Sequence, residues 1–252
     1  MKPTTLVYST NNTIVGNGPR TRLPFLRKVV QNALRQPNTH NTANPFKPYP
    51  LLRSSEEKQR VSQVLYKDPQ CIVVNDAYPK SKVHCLIMPL DLSLDSLNAI
   101  RTEHIPLMQH LLNVAEQYVQ FMRRGALAKG NGPPALKMMT GFHSLPSLPQ
   151  LHLHLISMDF ETPYMKTRKH YNSFATPFFL SADRVLEDLQ QNGCITLNRN
   201  VAELKRMEEQ ETSCLWCGHG ENRIPQLKLH LQTCPKSRAV LSTNTSSSSL
   251  SS

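Results

Sequence analysis

Apolar and polar positions alternate most strictly in residues 150–157, where Leu151, Leu153 and Leu155 interleave with His152 and His154. A period of two is the pattern of a half-buried strand: it turns both imidazoles to one face and the leucines to the other, whereas a helix would set the rings on nearly opposite sides. Gln150 takes the third position on the histidine face. From Val64 onward, residues 71–74, 83–88 and 135–142 are short apolar runs bounded by turn formers and read as further strands. A turn-rich, basic connector, residues 75–82, separates the first two. Helical spacing appears four times. Pro24 opens a helix to Arg35 with Phe25, Leu26, Val29, Val30, Ala33 and Leu34 as its apolar positions. Residues 103–124 form a long amphipathic helix with Pro106 in its first turn and Gly125 beyond its end. Its buried stripe is Leu107, Met108, Leu111, Leu112, Ala115, Tyr118, Val119 and Met122. Ser181 and Gly193 bound a capped helix, and residues 225–234 have the spacing of one more. Short connectors between strands, with helices set apart, predict an α+β fold: an antiparallel sheet with flanking helices.

The remaining stretches divide the chain. Residues 1–20 are a polar leader, 36–58 with four prolines an insertion or linker, and 237–252 a serine-rich disordered tail. That leaves a main domain over 21–195 and a small one over 196–236. Charge adds the first hint of a partner. Against 29 Lys and Arg stand 18 Asp and Glu, a net +11, which favours polyanions and nucleic acid before membrane. No apolar run approaches the roughly 18 residues of a membrane span. Six cysteines with no secretory signal at the start point to a reducing compartment, with thiols or metal in place of disulfides.

Two patterns carry chemistry. The paired histidines suit a nucleophile with a helper, half a metal site, or a polar strand face without chemistry. The second is Cys214-x2-Cys217-x12-His230-x3-Cys234: two thiolates on a knuckle, then an imidazole and a thiolate one helical turn apart, at tetrahedral reach of one zinc ion. His219 is a competing ligand. So small a segment buries too little surface alone, so its zinc is structural. One finger covers about three base pairs, which suits contact with a nucleic-acid backbone better than sequence reading. Cys71, Cys85 and Cys194 read as core.

Residues 141–160, Gly-Phe-His-Ser-Leu-Pro-Ser-Leu-Pro-Gln-Leu-His-Leu-His-Leu-Ile-Ser-Met-Asp-Phe, resemble the active-site segment of the histidine-triad (HIT) family, and more closely its aprataxin branch. Residues 64–68, 76–84 and 169–174 match the same branch, as does the finger, which most histidine-triad proteins lack; the resemblance covers roughly residues 60–235. No forkhead-associated module is visible. The resemblance implies a HIT-type sheet and hydrolysis of the adenylate on abortively ligated 5′ DNA ends. His152 would be the nucleophile that takes AMP, His154 would bind the phosphate, and His143 would assist the leaving DNA phosphate. Ser147 would donate to the phosphate and Asp76 would accept from the ribose hydroxyls, with His84 and Gln150 completing the AMP site. Lys80, Lys82, Lys166 and Lys169 would meet DNA phosphates, Lys166 foremost. Gln150 stands where the family has a histidine, and an amide carries no proton, so His143 would take more of that work. Zinc would be confined to the finger, with no metal in the chemical step. The partners would be nicked or adenylated DNA and the product AMP, with no membrane, and the protein would be a nuclear, also cytoplasmic, monomer. Residue by residue a plainer account stands: structural histidines at His84 and His170, a turn former at Asp76, a loop serine at Ser147. The competing functions are a histidine-triad hydrolase or nucleotidyl transferase of free nucleotides, a metal enzyme on His152 and His154, and a non-catalytic zinc-finger DNA-binding protein.

Overall fold

In a computed structural model, which describes residues 23–35, 45–50, 63–127, 136–197 and 200–237, six strands pair edge to edge. They are β1 (Val64–Lys67), β2 (Cys71–Asn75), β3 (His84–Pro89), β4 (Met138–His143), β5 (Leu153–Ser157) and β6 (Phe179–Ser181). Every pairing is antiparallel, and the order across the sheet is β1-β2-β3-β5-β4-β6. The predicted leader, residues 36–44 and 51–58 of the insertion, the break at 130–134 and the tail beyond residue 237 lie outside the described residues.

Alternation assigns the two faces. Cys71, Val73, Cys85, Ile87, Phe142, Leu153 and Leu155 point to one side, under helix α2 (Ile105–Leu127) and helix α4 (Ala182–Asn192). Ile72, Val74, Leu86 and Met88 point to the other, where helix α1 (Leu23–Arg35) seats Leu26, Val30 and Ala33. Further along that second face lie His84, His143 and His154, and beside them helix α3 (Arg168–Ala175) and the C-terminal finger. The result is three layers with the histidines inside one of them. The α+β fold, with an antiparallel HIT-type sheet, flanking helices and a finger, is as the sequence predicts.

Four details differ. Strand β5 is buried on both faces rather than half-buried, because α3 and its aromatic residues cover the histidine side. Gly125 lies within α2, not beyond it, and nothing touches the position its Cβ would take. Residues 45–50, inside the stretch read as a linker, place Phe46 and Tyr49 in the main core, Phe46 stacked 4.6 Å from Tyr66. Helix α5 (Val201–Glu209) carries too short an apolar repeat to be visible in the sequence; Asn200 caps it and Leu204 anchors it. It packs on α3, whose Asn172 amide donates to the carbonyls of Glu208 and Gln210 at 3.1 and 2.8 Å. The finger follows as a short hairpin, β7 (Thr212–Ser213) with β8 (Gly220–Glu221), and helix α6 (Ile224–Thr233). No helix among the described residues is long and apolar enough to cross a membrane.

Candidate active site

A cavity of about 380 Å³ opens on the histidine face of the sheet. Its floor is His84, Leu86, His143, His152 and His154, and Asp76, Tyr78 and Lys80 come from the β2–β3 connector. Ser147 and Leu148 come from the loop before β5, Phe25 and Leu26 from α1, and Lys169, His170, Ser173 and Phe174 from α3. Register brings the histidines together: His154 pairs across to Leu86 and to Gly141, while His84 lies opposite Ile156. The rings of His143, His152 and His84 stand 4.4, 4.9 and 5.3 Å from that of His154. Gly141 permits the close approach of β6 beside them, since a Cβ there would fall on the Leu180 carbonyl and the Phe179 ring.

Hydrogen bonds assign the tautomers. Lys80 N–H donates to His84 Nδ1 at 3.2 Å, which puts the His84 proton on Nε2. That Nε2 lies 3.0 Å from His154 Nδ1, which must then accept. His154 therefore carries its proton on Nε2, a buried atom with no partner among the described residues. His152 Nδ1 lies 2.8 Å from the Gln150 carbonyl, which only accepts, so the His152 lone pair is on Nε2. Burial holds all four rings neutral: His84 falls to about 4 and His143 to about 3, and His152 and His154 are likewise lowered. Asp76 is held ionised against its burial by the Lys80 ammonium and by the Tyr78 N–H, which donates at 2.6 Å; the His84 ring, 3.7 Å away, is neutral and adds no charge. The cavity thus offers a neutral imidazole with a lone pair on Nε2 beside a neutral imidazole whose Nε2–H is unpaired among the described residues. It suits nucleophilic attack on an anionic phosphorus ester.

Of the predicted site residues, His84, His143, Ser147, His152, His154, Asp76, Lys80 and Lys169 line this cavity. Gln150, expected in the AMP site, does not. Its φ of 112° turns the side chain out of the strand's alternation, and its amide donates to the Pro89 and Asp91 carbonyls at 3.1 and 3.3 Å. Lys166 and Lys82 are also outside it: Lys82 pairs with Glu161 at 2.5 Å, and Lys166, the lysine expected foremost, sits before α3 begins. Lys169, the second residue of α3 after its Thr167 cap, is the lysine that α3 brings to the cavity. Glu208, Tyr78 and Phe174 line the cavity unforeseen; Tyr78 and Phe174 lie within the matching segments 76–84 and 169–174, and Glu208 had no mark in the sequence.

In the finger, Cys214 Sγ, Cys217 Sγ, His230 Nε2 and Cys234 Sγ lie within 4.8 Å of one another. Cys214 and Cys234 sulfurs are 3.9 Å apart, close to the roughly 3.8 Å that two 2.3 Å bonds at a tetrahedral angle require. The set fits zinc. His219 stacks on the His230 ring at 4.6 Å and is not one of the four.

The family described as "Scavenger mRNA decapping enzyme C-term binding" matches residues 51–170, and "C2HE / C2H2 / C2HC zinc-binding finger" matches 175–237. The chain is 36% identical to "Aprataxin" of Gallus gallus over 181 residues, 72% of this chain and 53% of that one. It is 27% identical to "Aprataxin-like protein" of Schizosaccharomyces pombe over 218 residues, 81% of this chain and 90% of that one. Among solved structures, the aprataxin ortholog Hnt3 in complex with DNA superposes with a TM-score of 0.52 at 29% identity, over 68% of this chain and 85% of that one. The chain spans about half the length of the vertebrate aprataxins it matches. On these matches the chain belongs to the aprataxin branch of the histidine-triad family.

Proposed function

We propose that this protein is a DNA-repair hydrolase that removes AMP from 5′-adenylated DNA ends, products of abortive ligation, and leaves a 5′-phosphate. The observation that carries the reading is the pinned His152 tautomer, which aims a lone pair rather than a proton at a ligand. His152 Nε2 attacks the adenylate phosphorus, and the bond from that phosphorus to the bridging oxygen breaks. The DNA phosphate leaves with the bonding electrons, and the Gln150 carbonyl holds the Nδ1–H of the charged AMP–imidazole. Water then attacks the same phosphorus and gives a proton to the neutral His143, while the phosphorus–nitrogen bond breaks and its electron pair returns to Nε2. His154 donates its Nε2–H to the phosphate oxygens, with Ser147 beside it. His143 shuttles the proton at the leaving oxygen. Asp76 takes the ribose hydroxyls, and Lys80 and Lys169 face the phosphates. Lys82 and Lys166, outside the cavity, belong to the surrounding basic surface that meets the DNA backbone. Phe25, 37 % exposed at the mouth, is placed to wedge a terminal base pair. The finger holds one structural zinc, and no metal enters the chemical step. The relative crystallised with DNA supports DNA as the partner; the enzyme works as a monomer in the nucleus, and also in the cytoplasm.

A 5′-adenylated nicked duplex and a free dinucleotide, offered in competition, test this reading against the free-nucleotide alternative. Faster AMP release from the nick is expected. Equal or faster turnover of the dinucleotide would favour the alternative.

A further inference from the structure

Among the described residues, four charged ones line the cavity: Lys80 and Lys169 against Asp76 and Glu208. His84, His143, His152 and His154 beside them are neutral, so on the wall two acidic groups stand against two lysines, in a chain that sums to +11. The proposed function gives Asp76 a task at the ribose and Glu208 none. Glu208 is 6 % exposed. Its Oε2 lies 2.8 Å from Lys169 Nζ, whose side chain is 63 % exposed. Helix α5 cannot swing it away, because the Asn172 amide grips the carbonyls of Glu208 and Gln210. A buried carboxylate fixed beside a phosphate site repels any anion there, and low local polarity strengthens the repulsion.

We propose that Glu208 is a specificity-determining residue: its carboxylate cancels Lys169 inside the cavity and so rejects free mononucleotides, the AMP product included. Adenylated DNA escapes the penalty because it has further phosphates to set against the basic surface outside. This inference rests on the proposed function. Within the diphosphate linkage the adenylate phosphate bears one negative charge, whereas a phosphate monoester with a second pKa near 6 bears about −1.5 to −2 at pH 7. Hydrolysis therefore raises the charge facing Glu208, which speeds release of AMP.

Calorimetric binding of AMP and of its phosphate methyl ester, a monoanion, to the full zinc-loaded chain at pH 7.5 tests this. The unaltered protein should bind the ester more tightly than AMP. Glu208→Gln should tighten AMP by about tenfold, the effect of one nearby charge, and abolish the preference for the ester. Lys169→Ala should weaken AMP, and Lys169→Ala/Glu208→Gln, again without net charge, should return to within about twofold of the unaltered chain. A double variant as weak as Lys169→Ala would make Glu208 a mere partner of Lys169 and overturn the inference. So would an unaltered chain that prefers AMP, a comparison that needs no variant to fold. Ester and AMP both failing to bind at millimolar concentration would instead defeat the proposed function itself.

Discussion

His152 and His154 do opposite things with the same side chain, and their backbone and ring neighbours decide which. The Gln150 carbonyl takes the His152 proton on Nδ1, while the relay from the Lys80 amide through His84 leaves the His154 proton on Nε2. Alternation in the sequence was enough to converge the two rings, but a tautomer depends on partners distant in the chain. His84 is 70 residues from His154, and no local pattern links them. The relay makes His84 a positioning residue. His84→Phe strips His154 Nδ1 of its donor, and turnover should fall by about ten- to a hundredfold, the worth of an unsatisfied buried group of 1–3 kcal/mol. Nicked-DNA affinity should change little, which a fluorescence titration would check. Gln150 illustrates the converse: its identity suggested a place in the pocket, but a positive φ is not legible in an ordinary residue.

Strands β4 and β6 close on each other only because β4 has no side chain at Gly141. Gly141 sits under the Phe179 ring and the Leu180 carbonyl, so Gly141→Val must push β6 aside. A loss of about 1–3 kcal/mol or more is expected by denaturant unfolding. The finger's ligand spacing was fully legible, since metal geometry dictates it. Its contact with the cavity wall was not. Tyr171 of α3 donates to the Ser213 carbonyl and accepts from the Leu215 N–H, within the knuckle. Lys137 lies over Trp216, the chain's single tryptophan, at 4.8 Å. Removing the metal should therefore change the tryptophan emission and lower the thermal midpoint together. Turnover on a short adenylated substrate should fall in step, because the same helix carries Lys169 and Phe174. Emission that changes with no loss of turnover would separate the finger from the cavity.

Across the whole molecule, neutral buried histidines set an acid limit on stability. His84 and His143 have folded-state values of about 4 and about 3, below the unfolded value near 6.5. The unfolded chain therefore takes up protons first, and stability is complete above pH about 6.5 and is lost as pH falls toward 4. The loss should reach a few kcal/mol, and Asp68 and Asp76, both held low, add to it only below pH about 4. Unfolding midpoints across pH 7.5 to 4.5 would show it, and His143→Phe should flatten the slope. The fold class was legible because amphipathic period and turn chemistry are local. The α1 face and the α5 carboxylate were not placed, since their neighbours arise only when the sheet assembles. The same assembly leads to the chemistry, and one species would reveal it. Alkali-quenched intact mass of the enzyme, mixed for milliseconds with 5′-adenylated nicked DNA at neutral pH, should show a transient added AMP, since a phosphorus–imidazole bond survives base and not acid. His152→Ala should lose that adduct, and about 10⁴-fold or more of turnover, while still binding the nick. AMP release with no adduct on His152, or an adduct that persists in His152→Ala, would contradict the nucleophile.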